Sequence, residues 1–333
     1  MTSKALTLDE IYDLAKTCLM KFGLDSTNAV PLANTIMTAE RDGSHSHGLF
    51  RLPAYLSSLK SGKVNRQARP KLSRQTHSFL SLHADNGFAP LAHSIGIPAL
   101  VEVTKEEGIG VLGITHVHHM AALWPEVEAL ASENLAGLAC TPYMPAVAPA
   151  GASKALFGTN PISFAWPRPG KNPVVFDMAT AAMAMGEVQI AARENLSVPY
   201  GTGLDRKGKD TKDPKKILDG GVLLPFGGYK GSAIAMMVEL LAAGLINERF
   251  SFEAKEKDNG DGGPPQGGQF IMALSPEKLA KQGWGSHCEA FFERMENMEG
   301  LRMPGARRHK NRLSQAPRQI NAELLDKIHA LTN

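Results

Sequence analysis

Apolar residues recur every three or four positions over much of the chain, and that spacing predicts helices. Leu8, Ile11, Leu14, Cys18 and Phe22 form the first series, opened by a Thr7–Glu10 capping box and ended at Gly23. A second helix is predicted over 27–40, with Pro31 tolerated near its first turn, and a third from Leu52 to Leu59, stopped by Gly62. Between 63 and 87 the pattern changes to short alternating runs punctuated by Pro70, Asn86 and Gly87, which predicts strands. Helical spacing returns over 89–107, and again over 124–134, 183–194, 232–246, 286–298 and 321–331. Further strands are predicted at 111–115, 135–141, 161–166, 174–176 and 269–274. Residues 201–216 read as a polar loop, and 253–268, acidic and rich in Gly and Pro, as a mobile one. Helices at both ends of a mixed middle predict an α+β fold in which the termini pack together. Residues 1–62 with 286–333 would form a helical domain, and 63–285 a mixed α/β region with a smaller inserted lobe around 195–230.

Composition changes this picture little. At 333 residues, 43% hydrophobic and 21% charged, the chain is long enough for two or three lobes with sizeable cores. A net charge of +3 gives no reason to expect nucleic acid or a membrane surface as partner, so charge must act locally. Cys18, Cys140 and Cys288 are far apart, odd in number and outside metal-ligand spacing, which predicts reduced thiols. The N-terminus lacks the apolar run of a signal peptide, and these features together predict a cytoplasmic protein.

The densest chemistry lies between the second and third helices, in Arg41-Asp42-Gly43-Ser44-His45-Ser46-His47-Gly48-Leu49-Phe50-Arg51. Histidine exchanges a proton near neutral pH, a hydroxyl orients it, and arginine can clamp a carboxylate through a bidentate fork. A polar turn whose serines cap the next helix has the same spacing. Gly108-Ile109-Gly110-Val111-Leu112-Gly113 matches G-x-G-x-x-G, but a helix precedes it and a strand follows, the reverse of a dinucleotide fingerprint. His116, His118 and His119 offer a metal site without an evident further ligand, or a loop for phosphate or ribose. Phe226-Gly227-Gly228-Tyr229-Lys230-Gly231 reads as a phosphate cradle or as a turn with a solvated lysine. Arg302, Arg307, Arg308, Lys310 and Arg312 surround Pro304-Gly305, either as a solvated face or as a grip for a 2′-phosphate.

In this order the motifs Arg41-Asp42-Gly43-x-His45-Ser46-His47-Gly48-x-x-Arg51, His118-His119, Leu156-Phe157-Gly158-Thr159-Asn160-Pro161, Phe176-Asp177-Met178-Ala179-Thr180, Gly186-x-Val188-Gln189-Ile190-Ala191-Ala192-Arg193, Leu224-Pro225-Phe226-Gly227-Gly228-x-Lys230-Gly231 and Arg302-x-Pro304-Gly305-x-Arg307-Arg308 span nearly the whole chain. Together they resemble the type-2 malate/L-lactate dehydrogenase family, and within it the Δ1-piperideine-2-carboxylate/Δ1-pyrroline-2-carboxylate reductase branch. The resemblance implies a non-Rossmann NAD(P)-binding fold with a mixed or antiparallel central sheet, and a homodimer whose active sites draw on both subunits. It implies His47 as proton donor, with Ser46 and Glu187 as its relay, and Arg51, Thr159 and Thr180 as substrate contacts. Cofactor contacts would fall on His118, His119, Met120, Ala121, Asp177, Met178, Ala179, Lys230, Arg302, Pro304, Gly305, Arg307 and Arg308, with no metal.

Two positions depart from the branch. It usually has aspartate at the position of Glu187 and histidine at that of Met185, which puts the relay's geometry and the substrate range in question. The implied activity is NADPH-dependent reduction of a small cyclic imine acid, giving L-pipecolate or L-proline. An NAD(P)-dependent 2-hydroxy-acid dehydrogenase acting on malate, lactate, sulfolactate or ureidoglycolate would use the same turn. A metal-dependent hydrolase built on His116, His118 and His119 is a third possibility, and a catalytically silent NADPH binder a fourth.

Overall fold

The computed structural model describes every residue except 1, 120, 121, 281 and 333. Its strands in chain order are β1 (Ser3–Leu6), β2 (Lys71–Arg74), β3 (Phe79–His83), β4 (Ile109–His118), β5 (Ala136–Cys140) and β6 (Ile162–Trp166). They continue with β7 (Val174–Met178), β8 (Gly203–Leu204), β9 (Val222–Leu223), β10 (Gln266–Leu274) and β11 (Arg318–Asn321). Seven form a central sheet in the order β2-β3-β4-β10-β5-β6-β7. Only β3 and β4 run parallel, joined by the crossover helix Ala89–Glu107, and every other pair is antiparallel. Gly108 ends that helix in a left-handed cap and β4 follows, so the G-x-G-x-x-G match is a helix-to-strand turn, as its order predicted.

The helical reading holds closely at the N-terminus. Leu8–Lys21 starts from a Thr7–Glu10 capping box, and Ser26–Arg41 starts from the Asp25 carboxylate, which accepts from the Asn28 amide. These two helices bury Ile11, Leu19, Leu32 and Ile36 against Leu52, Leu56 and Leu59 of the helix Leu52–Ser61. Ile320, Leu325 and Ile328 from the C-terminal end join the same core, so the termini do pack together. They are also tied by β1 and β11, antiparallel strands that the sequence pattern did not suggest. The helix Trp284–Glu296 lies elsewhere, over the end of β6, where Trp284 meets Trp166 edge-on and Arg168 pairs with Glu289 at 2.6 Å. A second core fills the space between the sheet and the helices Ala89–Glu107 and Trp124–Ser132, with Leu82, Leu100, Leu112, Ile114, Val127 and Leu130 fully buried.

Two expectations need correction. Residues 253–268 are not an open loop: the helix Ser251–Glu256 begins the segment and β10 ends it. Between them Lys63 holds Asp258 at 2.9 Å and Asp261 at 2.5 Å, while Ser57 donates to the Asp261 carbonyl. The acidic run is stable there because a lysine distant in sequence neutralises it. The loop expected at 116–120 is in its first part the end of β4, which continues to His118.

Candidate active site

Buried carboxylates hold the turn 41–51. Asp42, fully buried, accepts from Arg41 Nε at 2.7 Å and from Arg312 at 2.5 and 3.1 Å. Glu40, only 2% exposed, uses one oxygen to accept the Leu49 amide at 2.9 Å and the other to accept His45 Nδ1 at 2.5 Å. That bond raises the His45 pKa above its usual value. Gly48 is required here, because a Cβ at that position would come within 2.2 Å of the Glu40 carboxylate. Sequence reading missed Glu40. The available signal was its place beside Ala39 on the buried, mostly apolar face of an amphipathic helix.

Two short 3-10 turns, His45–His47 and Leu49–Arg51, then carry Ser46, His47 and Arg51. Ser46 Oγ lies 3.0 Å from His47 Nδ1, and Arg51 Nε donates to the Ser46 carbonyl at 2.8 Å. Arg51 forms no ion pair among the described residues, so its charge is available. Desolvation pushes the His47 pKa down to about 4, and the nearby charges of Arg51 and His119 add to the effect. Near neutral pH His47 is therefore a neutral imidazole.

The three histidines of the 116–119 segment do not converge. His116 stacks on His83 at 4.2 Å and faces Glu248, while His118 donates to the Pro264 carbonyl at 3.1 Å. His119 Nε2 donates to Glu126 Oε1 at 3.1 Å. A metal centre built from these three is thus not assembled. His119 belongs to a different buried group, in which His93 Nε2 donates to Gln269 Oε1 at 2.6 Å and Gln269 Nε2 to Glu126 at 3.2 Å. His93, His119 and Glu126 place ligand-type atoms within 4.8 Å of one another. The polar groups already satisfy much of one another's hydrogen bonding without an ion. Burial pushes the Glu126 pKa up, but the two imidazoles outweigh it and the carboxyl ends below its usual range. His93, Glu126 and Gln269 were missed because they come from three separated elements.

His119 lines two partly open cavities, one beside Tyr143, Arg249 and Gln266 and the other beside Tyr55, His93 and Glu126. Asp177, at the end of β7, turns one oxygen to the amides of Leu123 and Trp124 at 2.7 and 3.0 Å and so caps the helix Trp124–Ser132. Burial pushes its pKa up to about 6. Met178 beside it is exposed, and Ala179 is half-buried. Arg308 donates to the Val175 carbonyl at 2.9 Å and lies over the Trp124 ring, while Pro304 accepts the Val175 amide at 3.3 Å. Together with the Arg312–Asp42 pair these contacts dock the helix Ala306–Arg312, capped by Gly305, against β7 and the turn 41–51.

The other predicted residues come from several further elements. Thr180 donates from both its amide and its hydroxyl to the Thr159 carbonyl, which joins those two threonines. Glu187 is exposed in the first turn of the helix Met185–Arg193 and makes no hydrogen bond to Ser46 or His47 in this chain. Lys230 is exposed at the start of the helix Tyr229–Glu239, which follows the left-handed Gly227 and Gly228. That helix begins three residues before the expected 232 and continues into a π-helical turn, Leu240–Gly244. Arg302 and Arg307 are exposed. Met120 and Ala121 lie outside the described residues.

Residues 6–329 match the family described as malate/L-lactate dehydrogenase. The chain belongs to that family. Among its members, the Δ1-pyrroline-2-carboxylate/Δ1-piperideine-2-carboxylate reductase of Pseudomonas syringae pv. tomato is 43% identical over 93% of this chain and 90% of the relative. The protein of the same name from Pseudomonas putida is 45% identical over 91% of this chain and 89% of the relative. The crystal structure of Δ1-piperideine-2-carboxylate reductase from P. syringae superposes with a TM-score of 0.93 at 41% identity, covering 98% of this chain and 99% of that one. Malate dehydrogenase from Entamoeba histolytica, at 22% identity, shares the fold with a TM-score of 0.92, covering 99% of this chain and 98% of that one. The family's α+β, non-Rossmann architecture therefore extends over nearly the whole length of this chain. No helix among the described residues is long and apolar enough to cross a membrane.

Proposed function

We propose that this protein is an NADPH-dependent reductase of small cyclic imine acids, converting Δ1-piperideine-2-carboxylate to L-pipecolate and Δ1-pyrroline-2-carboxylate to L-proline. The observation that carries the reading is the arrangement at the turn, where His47 and Arg51 are both hydrogen-bonded to Ser46. The names of the relatives at 43 and 45% identity support the imine as substrate. Arg51 clamps the substrate carboxylate, with Thr159 and Thr180 completing the pocket. His47, neutral near pH 7, accepts the N–H of a protonated imine and so holds its proton in place while C2 becomes electrophilic. Alignment of a reactive iminium carbon is the main task left to the protein.

The residues present fit a dinucleotide. Lys230, Arg302 and Arg307 are exposed and carry no ion pair among the described residues, so their charges are free for phosphates. They would hold the cofactor together with His118, His119, Met120, Ala121, Met178, Ala179, Pro304, Gly305 and Arg308, with Asp177 capping the helix beneath. When bound, the reduced nicotinamide supplies hydride.

The assembly proposed is a homodimer, with Glu187 completing the Ser46–His47 relay across the interface. Supporting it, the helix Tyr229–Glu239 and its continuation expose Tyr229, Met236 and Leu240 at 73, 51 and 54%. These fall along one apolar stripe suited to a second copy. The proposed helical domain joins residues 1–62 to the C-terminal strand and helix rather than to all of 286–333, since Trp284–Glu296 lies over β6, and 63–285 is the proposed cofactor-binding region with its lobe around 195–230. Cys18, Cys140 and Cys288, none of them in a disulfide, suit a cytoplasmic location.

The same turn would serve a 2-oxo acid, and Met185 and Glu187 are the two departures from the imine-reducing branch that favour testing it. NADPH oxidation measured with both cyclic imines, pyruvate and oxaloacetate decides. Higher kcat/KM on the imines supports the proposal, and turnover confined to 2-oxo acids replaces it with 2-hydroxy-acid dehydrogenation.

A further inference from the structure

Arg249 has no place in the reading above, yet its surroundings are those of a ligand-binding group. It lies between the helix that ends in Leu240–Gly244 and the helix Ser251–Glu256, half-buried. Its guanidinium makes no hydrogen bond or ion pair among the described residues. The carboxylates of Glu248, Glu253 and Glu239 are committed elsewhere, Glu253 accepting the Phe250 amide at 2.9 Å. Glu248 accepts the amides of His116 and Arg249 at 2.5 and 2.9 Å. Glu239 accepts Asn160 at 2.8 Å, the Ser251 amide at 3.0 Å and the Ser251 hydroxyl. A partly desolvated guanidinium without a counter-charge is unfavourable unless something anionic visits it.

Arg249 lines the partly open cavity that also has Val117, His119, Tyr143, Gln266 and Gly267 in its wall. The Tyr143 hydroxyl makes no hydrogen bond among the described residues, so the cavity presents two uncommitted donors suited to an oxyanion. It adjoins the catalytic turn on two counts. Tyr143 packs against the core that Leu49 of the turn enters, and His119, in the same wall, also lines the neighbouring cleft with Tyr55, a member of that core.

We propose that Arg249, assisted by the Tyr143 hydroxyl, is a second oxyanion clamp of the active site. It takes a carboxylate or phosphate group of a molecule bound beside His47 and Arg51. The role assigned to that turn rests on the function proposed above, but the clamp can be read from binding alone. Two sources of the oxyanion are chemically equivalent here, a second carboxylate on an organic acid and a phosphate of the cofactor.

Arg249→Ala and Arg249→Gln, the second keeping the aliphatic stem, are compared with the intact protein alongside Tyr143→Phe. NADPH affinity is read by fluorescence titration. Affinity for succinate and for butyrate, a diacid and a monoacid of equal length, is read by thermal shift in the presence of NADPH. Melting temperatures without ligand confirm that each variant is folded. A roughly ten- to hundredfold loss of succinate affinity, with butyrate and NADPH unchanged, places a substrate carboxylate at Arg249. A similar loss for NADPH, with both acids unchanged, places a cofactor phosphate there. Tyr143→Phe should shift the same ligand in the same direction by a smaller factor. If folded Arg249→Gln binds NADPH, succinate and butyrate as the intact protein does, the clamp is refuted. Should the intact protein turn over no imine and no 2-oxo acid, the function proposed above fails, while these binding comparisons still decide the role of Arg249.

Discussion

The state of His47 gives a prediction that separates two ways of reducing an imine. The folded chain pushes its pKa down to about 4 from 6.5, so the free protein at pH 7 carries the imidazolium in roughly one molecule in 10³. If catalysis required that rare form, kcat/KM would rise about tenfold for each unit of pH lowered from 8 to 5. The corresponding penalty at pH 7 would be about 4 kcal/mol of transition-state stabilisation. If neutral His47 instead accepts the N–H of a substrate that arrives protonated, kcat/KM is flat between pH 5 and the pH at which the iminium loses its proton. Below about pH 5 it declines as His47 gains a proton beside Arg51, because two cations and an iminium then repel one another. Initial rates of NADPH oxidation with Δ1-piperideine-2-carboxylate from pH 4 to 9 give the profile. His47→Gln, still able to accept a hydrogen bond but not to titrate, should lose the acid limb and about 10²-fold in kcat, with NADPH affinity unchanged. A slope of −1 between pH 5 and 7 would refute the neutral-imidazole reasoning.

Three further outcomes follow from the same geometry. Arg51→Ala should raise KM for the imine acid at least about tenfold with a smaller change in kcat, and an unchanged KM in steady-state assays would move the carboxylate clamp elsewhere. Asp42→Asn removes a buried carboxylate shared by Arg41 and Arg312 and should cost about 3 kcal/mol, or about 4 °C in melting temperature for a chain of this length. Burial pushes the Asp42 pKa up, but bonds from Arg41 and Arg312 overcome it and the folded value ends below the ordinary carboxyl range. Its contribution is therefore present above the unfolded carboxyl pKa and is lost as pH falls through the folded one, so the melting-temperature gap between Asp42→Asn and the intact protein should shrink in acid. Met236→Glu places a charge on the exposed apolar stripe and should convert dimer to monomer by analytical ultracentrifugation, with loss of turnover if Glu187 acts across the interface.

Much of this site was legible because its central groups are contiguous. Ser46, His47 and Arg51 sit within six positions, and a short turn between two helices cannot separate them far. The helices were legible for a similar reason, since a 3.6-residue pattern sustained over several turns leaves little freedom: the expected 89–107 is the observed Ala89–Glu107. The four-residue strands β1 and β11 escaped because alternation over four positions is too short to stand out, and their pairing joins opposite ends of the chain. The same non-locality hid the Glu126–His119–His93–Gln269 group and the Lys63 strap over Asp258 and Asp261. Polarity misled at 116–118, where two polar partners supplied by tertiary contacts, Glu248 and the Pro264 carbonyl, let β4 run on through histidines that read as a loop. Nothing among the described residues of the single chain joins Glu187 to His47, which is why that part of the relay rests on a second copy.

The claim that a reduced nicotinamide gives hydride to the carbon beside a carboxylate held at Arg51, next to His47, is tested most directly by isotope transfer. Turnover of Δ1-piperideine-2-carboxylate with NADPH deuterated at the transferring C4 position should yield L-pipecolate carrying one deuterium at C2, and Arg51→Ala should suppress its formation at low substrate concentration. Pipecolate without deuterium at C2, or label appearing only in lactate or malate from 2-oxo acids, would contradict it.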